Sequence, residues 1–478
     1  MTTTTVKFLK NTIWSFLSQS STVIIGLVTN IILARILTPV EFGQVGIIMF
    51  FITVINVIME GGLGGALVRT KDISDEDYST VFVFNLVISV VFFLILIASS
   101  GAIANYYNNI KLKPLICVSS FIIIINAFNI IQNARIYREM KFKINMYINL
   151  VSVVLSSVIG IFLAVKGYSV WSLVIMNLIL VFSKTVLLWI SEGGVGKLTF
   201  NMVSFKGLYR YGIFVTLVSF FNAAFDNVYQ LLLGKYFSIK QAGYFYQAKK
   251  MQGVPFFILN SLTLGVIFSH LAKFQGDSKV FQKEYIKILS IFSIVIAALA
   301  SLIFLLAKDV VQIVLGNIWM ESVIYMKLLT IASFFLLLKV YSQNVCKVFN
   351  RTEKIFVWEL IAILMQIITI VIGIATKSIF ITMCGAIVSN LLAYLINSYY
   401  SWRLLGLDYN GEIMVVVKIT FASIIGVLIS DRMGLLTTNS LLHILLMTIT
   451  FILVYIVFLR ILGLLDLKYV VRVYKSLR

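Results

Sequence analysis

The chain has 478 residues, of which 60% are hydrophobic and 12% charged, with 3 prolines and a mean hydropathy of +1.01. Soluble domains carry about 25% charged residues and fewer than half apolar ones, so the composition excludes an ordinary soluble enzyme and a disordered chain and prescribes a membrane protein. Lys and Arg number 39 against 19 Asp and Glu, a formal net charge of +20.

A membrane-crossing helix takes roughly 20 apolar residues. Apolar runs between charged punctuation place about 14 such helices, near 12–33, 43–66, 80–103, 114–133, 145–165, 169–190, 212–233, 252–272, 285–306, 322–345, 355–376, 380–401, 413–430 and 440–462. The runs lack the polar/apolar alternation of a closed barrel, so the fold class is all-α and polytopic. The first run is too long for a signal-peptide core and is followed by Arg35 and Thr38-Pro39 rather than a small-residue cleavage site, so it stays as the first helix. The stretch 308–323 reads as a short interfacial helix with Trp319 at headgroup level.

With the N-terminus inside, cytoplasmic connections hold about twice as many Lys and Arg as the outer ones. Lys184, Lys287, Lys339, Lys418 and Arg460, which lie within spans, fall toward the cytoplasmic ends. Both termini are therefore expected in the cytoplasm. Most of the charge excess is this positive-inside bias, and no nucleic-acid partner is expected. Cys117, Cys346 and Cys384 have no metal-ligand or redox spacing, and His270 and His443 stand alone, so neither a disulfide, a metal nor a cofactor is implied. The longest polar gap, 191–211, is too short for a separate domain.

Sliding the chain by 200 residues lays IILARILTPVEFG, 31–43, over LLLGKYFSIKQAG, 231–243. Leu33 meets Leu233, Arg35 meets Lys235, Thr38 meets Ser238 and Gly43 meets Gly243. Each segment follows the first span of a six-span group. Two pseudo-symmetric six-helix lobes, 1–200 and 201–405, are expected around a central cavity, with 406–478 adding two helices and a basic cytoplasmic tail.

Three segments, NTIWSFLSQSSTVIIGLVTNIILARILTPVEFGQVG, MEGGLGGALVRTKDISDEDYSTVFVFN and NARIYREMKFK, occur in order within the first 145 residues. They resemble the Wzx-type polysaccharide flippases of the multidrug/oligosaccharidyl-lipid/polysaccharide exporter superfamily. The resemblance implies that an undecaprenyl-pyrophosphate-linked oligosaccharide is moved from the inner to the outer leaflet of a bacterial cytoplasmic membrane by alternating access. It implies no enzymatic step, and it places the chain in surface polysaccharide synthesis, whether lipopolysaccharide O-antigen, capsule or exopolysaccharide. Polymerases and glycosyltransferases would then be its neighbours in the pathway.

Such a cargo presents phosphates, a polar glycan and an isoprenoid tail. Ionisable groups within spans are costly unless they face a polar cavity, and they are the first candidates. Asp226 lies near the middle of its span, and Thr216, Ser219, Asn222, Asp226 and Gln230 share one helical face. That face is expected to line the cavity, with Asp226 sensing H+ or Na+; a structural helix–helix contact is the alternative. Glu60 and the following GGLGG, with Gly61 and Gly62, suggest a gating hinge, or else close helix packing. Lys184 and Lys339 are candidate phosphate ligands, against snorkelling to the interface. Arg35 and Lys235 form a candidate basic rim. Asn126, Asn129 and Asn133 make one amide stripe, and Asn145, Asn149, Ser152 and Ser156 make another, both suited to sugar hydroxyls. Glu359 is expected to be solvated. A cation-coupled multidrug-type antiporter is the alternative on the same fold, though its site would favour carboxylates over lysines. A membrane-embedded polymerase or ligase fits less well, for want of a large outer loop with paired acids.

Overall fold

A computed structural model of the chain describes residues 3–70, 72–406, 408–436 and 440–464. The described residues form α-helices with short connections and contain no strand. Contacts divide them into two compact units, Met1–Tyr246 and Gln247–Arg478. The first holds α1 (Thr3–Ile36), α2 (Pro39–Glu60), α3 (Leu63–Arg69), α4 (Asp75–Tyr106), α5 (Leu112–Ser119), α6 (Phe121–Ala127), α7 (Asn129–Arg138), α8 (Phe142–Val165), α9 (Val170–Glu192), α10 (Met202–Leu232) and the opening of α11 (Ile239–Leu262). The second holds the rest of α11, then α12 (Phe268–Ala272), α13 (Ser278–Val310), α14 (Ser322–Val348), α15 (Thr352–Ala375), α16 (Ile379–Leu405), α17 (Tyr409–Gly434) and α18 (Ser440–Ile461). This boundary is one of packing, whereas the expected lobes 1–200 and 201–405 rest on the repeat in the sequence. The basic tail from 465 onward lies outside the described residues.

Among the described residues, 13 helical segments are long and apolar enough to cross a membrane. They coincide with every expected span except the seventh, which falls in α10. That helix has 31 residues, ample to cross at about 1.5 Å per residue, and the side chains of residues 210–212, 214, 215 and 218 within it lie outside the described ones. The second span stops at Glu60, earlier than the expected 66. Gly61 and Gly62 take φ of 54° and 63°, a left-handed pair that ends α2 and starts α3. The interfacial helix expected at 308–323 is not formed. Instead α13 runs on through Val310 into a π-helical turn, Val311–Leu315, and a short turn, Asn317–Trp319, in which Trp319 is fully buried within the protein.

Polar residues fix the helix starts. Thr38 and Glu41 form a capping box ahead of Pro39 on α2, with the Thr38 N–H donating to Glu41 at 2.6 Å. The acidic run after residue 71 does the same for α4. Ser74 caps it, and Asp75, Glu76 and Asp77 fill the first turn, where the helix dipole favours negative charge. The gap 191–211 is tied down by these residues. Ser79 Oγ donates to the Thr199 carbonyl at 2.8 Å, the Asn201 N–H donates to Thr80 at 3.0 Å, and Ser204 bonds Asp77.

The two repeat segments meet in the first unit. A Cβ on Gly43 would strike the Ile239 carbonyl, and a Cβ on Gly243 would strike the Pro39 carbonyl. The two glycine backbones approach within van der Waals contact, so the opening turns of α2 and α11 touch reciprocally, Pro39 and Ile239 being equivalent in the repeat. Only glycine permits this approach.

Candidate functional site

A cavity of about 740 Å³ opens in the first unit where the end of α2, α3, the α6–α7 junction and the start of α8 converge. Asn56, Glu60, Arg69, Asn126, Asn129 and Asn133 supply its polar lining, with Tyr137 and Phe142 beside them. The structure thus brings Glu60 and the first amide stripe to one wall. Asn129 is 5% exposed, and its Nδ2 donates to Asn126 Oδ1 at 3.2 Å. The Oδ1 atoms of Asn129 and Asn56 are buried and have no hydrogen-bond partner among the described residues. A buried amide oxygen left unpaired costs on the order of 1–3 kcal/mol. Gly61 and Gly62 turn the chain at its edge. A Cβ at Gly65 would meet open space, and one at Gly64 would touch Glu60 only at ordinary contact distance.

The basic residues near the cavity are mostly occupied. Arg138 Nη1 donates to the Leu67 and Thr70 carbonyls at 3.1 and 2.8 Å, capping α3. Arg135 reaches the Glu192 and Gly194 carbonyls at 3.2 and 3.1 Å, at the end of α9, and lies over the Tyr78 ring. Lys141 contacts Glu139 at 2.7 Å and Glu192 at 3.0 Å. Hydrogen bonds to Glu139 and Glu192 hold this ammonium above the ordinary lysine range.

In the second unit, Lys339 Nζ lies 3.1 Å from the Glu359 carboxylate, to which Gln343 Nε2 also donates at 2.8 Å. Glu359 is thus ion-paired rather than simply solvated, because Lys339 and Gln343 stand one turn apart on α14 and face α15. A second cavity, about 460 Å³, lies among α13, α14 and α17. Its walls include Ala297, Phe304, Phe334, Ile424 and Leu428, and it is predominantly apolar.

The model of a family described as polysaccharide biosynthesis protein matches residues 32–324. The chain belongs to that family. The match covers the repeat segments, the amide-lined cavity and α10. Among its relatives, an uncharacterized membrane protein in the cps region of Klebsiella pneumoniae is 25% identical over 68% of each chain. The lipopolysaccharide biosynthesis protein WzxC of Escherichia coli is 24% identical over 66% of this chain and 65% of its own length, a little under two thirds. Among solved structures, the lipid II flippase MurJ in an inward closed conformation superposes with a TM-score of 0.73 over 95% of this chain and 98% of that one, at 16% identity. That likeness fixes the fold. The Wzx-type resemblance carried by the opening segments agrees with the family match.

The remaining candidates of this family member are dispersed. Asn222 and Asp226 are exposed on α10, whereas Gln230 is 4% exposed and donates to the Ala242 carbonyl at 3.0 Å. Gln230 also packs against Gly46, where a Cβ would collide with its amide. The single face expected of α10 is therefore split, because its last turn is buried against α2 and α11. Lys235 donates to the Tyr106 carbonyl at 2.5 Å and sits 4.1 Å from that ring's centroid, while Arg35 is exposed. Lys184 is half-buried and makes no hydrogen bond or ion pair among the described residues. Asn149 donates to Asn145 at 3.2 Å, and neither lines the cavity. Their helix packs along α1, where Thr29 bonds Ser157 at 2.7 Å. The histidines are not isolated. His270 lies 3.5 Å from Glu284, and His443 lies 3.4 Å from Asp309. No cluster of three potential metal ligands occurs among the described residues. Asn56, Arg69 and Gln343 escaped sequence reasoning. The first two sit at helix ends, and the last is visible only as a one-turn neighbour of Lys339.

Proposed function

We propose that the protein translocates an undecaprenyl-pyrophosphate-linked oligosaccharide from the inner to the outer leaflet of a bacterial cytoplasmic membrane by alternating access, for surface polysaccharide synthesis. The observation that carries this reading is the amide-lined cavity of the first unit, in a member of a polysaccharide biosynthesis family. Amides donate and accept at once, as sugar hydroxyls do, and Asn56, Asn126, Asn129 and Asn133 line the cavity. By the positive-inside assignment, the cavity opens toward the cytoplasm, where the cargo is made. Arg69 is the basic residue lining the cavity, and Lys184 on α9 is the second candidate for a pyrophosphate contact.

The Gly61–Gly62 break is the hinge in this scheme, and Asp226, exposed on α10, is where H+ or Na+ re-equilibrates to reset the cycle. An organic-cation antiporter is less well served, since amides outnumber the single carboxylate, Glu60, in the cavity. The protein is a transporter and not an enzyme. Polymerases and glycosyltransferases are its partners through the shared lipid-linked glycan.

Depletion in cells making the glycan tests the reading. Lipid-linked oligosaccharide accumulates on the cytoplasmic leaflet if it holds. Unchanged delivery to the outer leaflet, with no second flippase present, contradicts it.

A further inference from the structure

The appended helix α17 carries a carboxylate that the transport scheme does not use. Glu412, in its first turn, is 1% exposed. Tyr285 of α13 donates to its Oε1 at 3.3 Å. Tyr394 and Ser398 of α16 also lie beside the carboxylate, and their hydroxyl oxygens are buried with no other hydrogen-bond partner among the described residues. Tyr285 and Tyr394 are 0% and 1% exposed, so water does not reach the group from that side.

The side chains recorded beside Glu412 are all neutral hydroxyl groups. From α14, Tyr341 stacks near Tyr285 but donates its hydroxyl to the Tyr285 carbonyl at 2.6 Å. Tyr455 of α18 donates to the Ile294 carbonyl at 2.9 Å instead. On α17 itself, Asp408 caps the helix by accepting from the Gly411 N–H, and Tyr409 lies toward Tyr394. No lysine, arginine or histidine among the described residues forms an ion pair with Glu412. A buried carboxylate without a cation is costly. The single carboxylate balances one positive charge and the three neutral hydroxyl oxygens add polar contacts around it; no second acid lies among the groups recorded beside Glu412, so a multivalent metal's charge would go unbalanced.

We propose that Glu412, Tyr285, Tyr394 and Ser398 form a binding site for one small monovalent cation, a proton or a sodium ion, whose occupancy seats α17 on α13 and α16. The site is distinct from Asp226 and does not depend on what the protein transports.

The test uses the full chain purified into lipid nanodiscs. In sodium-free buffer near neutral pH, infrared difference spectra between wild type and Glu412→Gln show a protonated carboxylic acid band if the ligand is a proton. If it is sodium, calorimetry shows sodium binding to wild type that Glu412→Gln abolishes. Tyr394→Phe keeps the carboxylate and removes one donor to its charged form, an effect on the order of tenfold. It moves the acid band's titration toward higher pH in the first case and weakens sodium binding in the second. Should Glu412→Gln not fold, Tyr394→Phe alone decides. Wild type and Glu412→Gln alike in both readouts, or a Tyr394→Phe protein with unaltered titration and sodium affinity, overturns the proposal.

Discussion

At the scale of single residues, Lys339 sits 3.1 Å from Glu359, so removing it strands a carboxylate whether or not it also meets a phosphate. Lys339→Ala is expected to cost about 3 kcal/mol, the lower end for breaking a buried pair, with Lys339→Met/Glu359→Gln recovering most of it in thermal unfolding. An unchanged melting temperature in Lys339→Ala with weaker substrate binding would restore the phosphate role. Lys141 gives a pH test. Its raised value means that its stabilisation is fully present below the ordinary lysine value, about 10.4, and is lost as pH rises through the elevated one. Melting curves of wild type and Lys141→Ala should therefore differ at neutral pH and converge in strong alkali. In the cavity, Asn129→Leu should retain the fold and reduce transport at least several-fold, checked by complementation at matched expression. Glu60 and the Asn126, Asn129, Asn133 stripe were legible because charge and helical spacing suffice to select them. The partners of Gln230, Lys235 and Lys339 were not, because each bond reaches a residue on another element.

Elements meet where side chains are absent. The reciprocal contact of Gly43 and Gly243 leaves no room for a methyl group against backbone carbonyls. Gly43→Ala and Gly243→Ala should each cost on the order of 1–3 kcal/mol as overpacking, whereas Gly26→Ala, which meets open space, should be tolerated; folded yield from membranes measures this. Gly61→Ala places a side chain at a φ of 54°, costing about 1–2 kcal/mol. A hinge role predicts that turnover falls further than folded yield does. The pairing of Gly43 with Gly243 was readable as an alignment of two segments. That the aligned segments touch each other was not, since similarity carries no information on contact. Likewise, α2 was drawn too long because apolarity continues past Glu60 while backbone conformation does not. Trp319 was set at the surface because amphipathic tryptophans favour headgroups, yet burial in the second unit decides its place.

For the whole molecule, hydropathy placed 13 expected spans on helices apolar enough to cross a membrane, and the remaining expected span falls in the 31-residue α10. Composition could not divide the chain after Tyr246, because that boundary depends on which helices pack together. The family is legible in ordered motifs, and the proposed class of cargo rests on the family and the cavity. The most direct measurement is translocation of purified undecaprenyl-pyrophosphate-linked oligosaccharide in proteoliposomes containing only this protein, read as exposure of the glycan to a membrane-impermeant glycosidase. The account predicts rapid loss of protection in wild-type vesicles and slow loss with Asn129→Leu. Protection equal to that of protein-free liposomes, under both proton and sodium gradients, would contradict it.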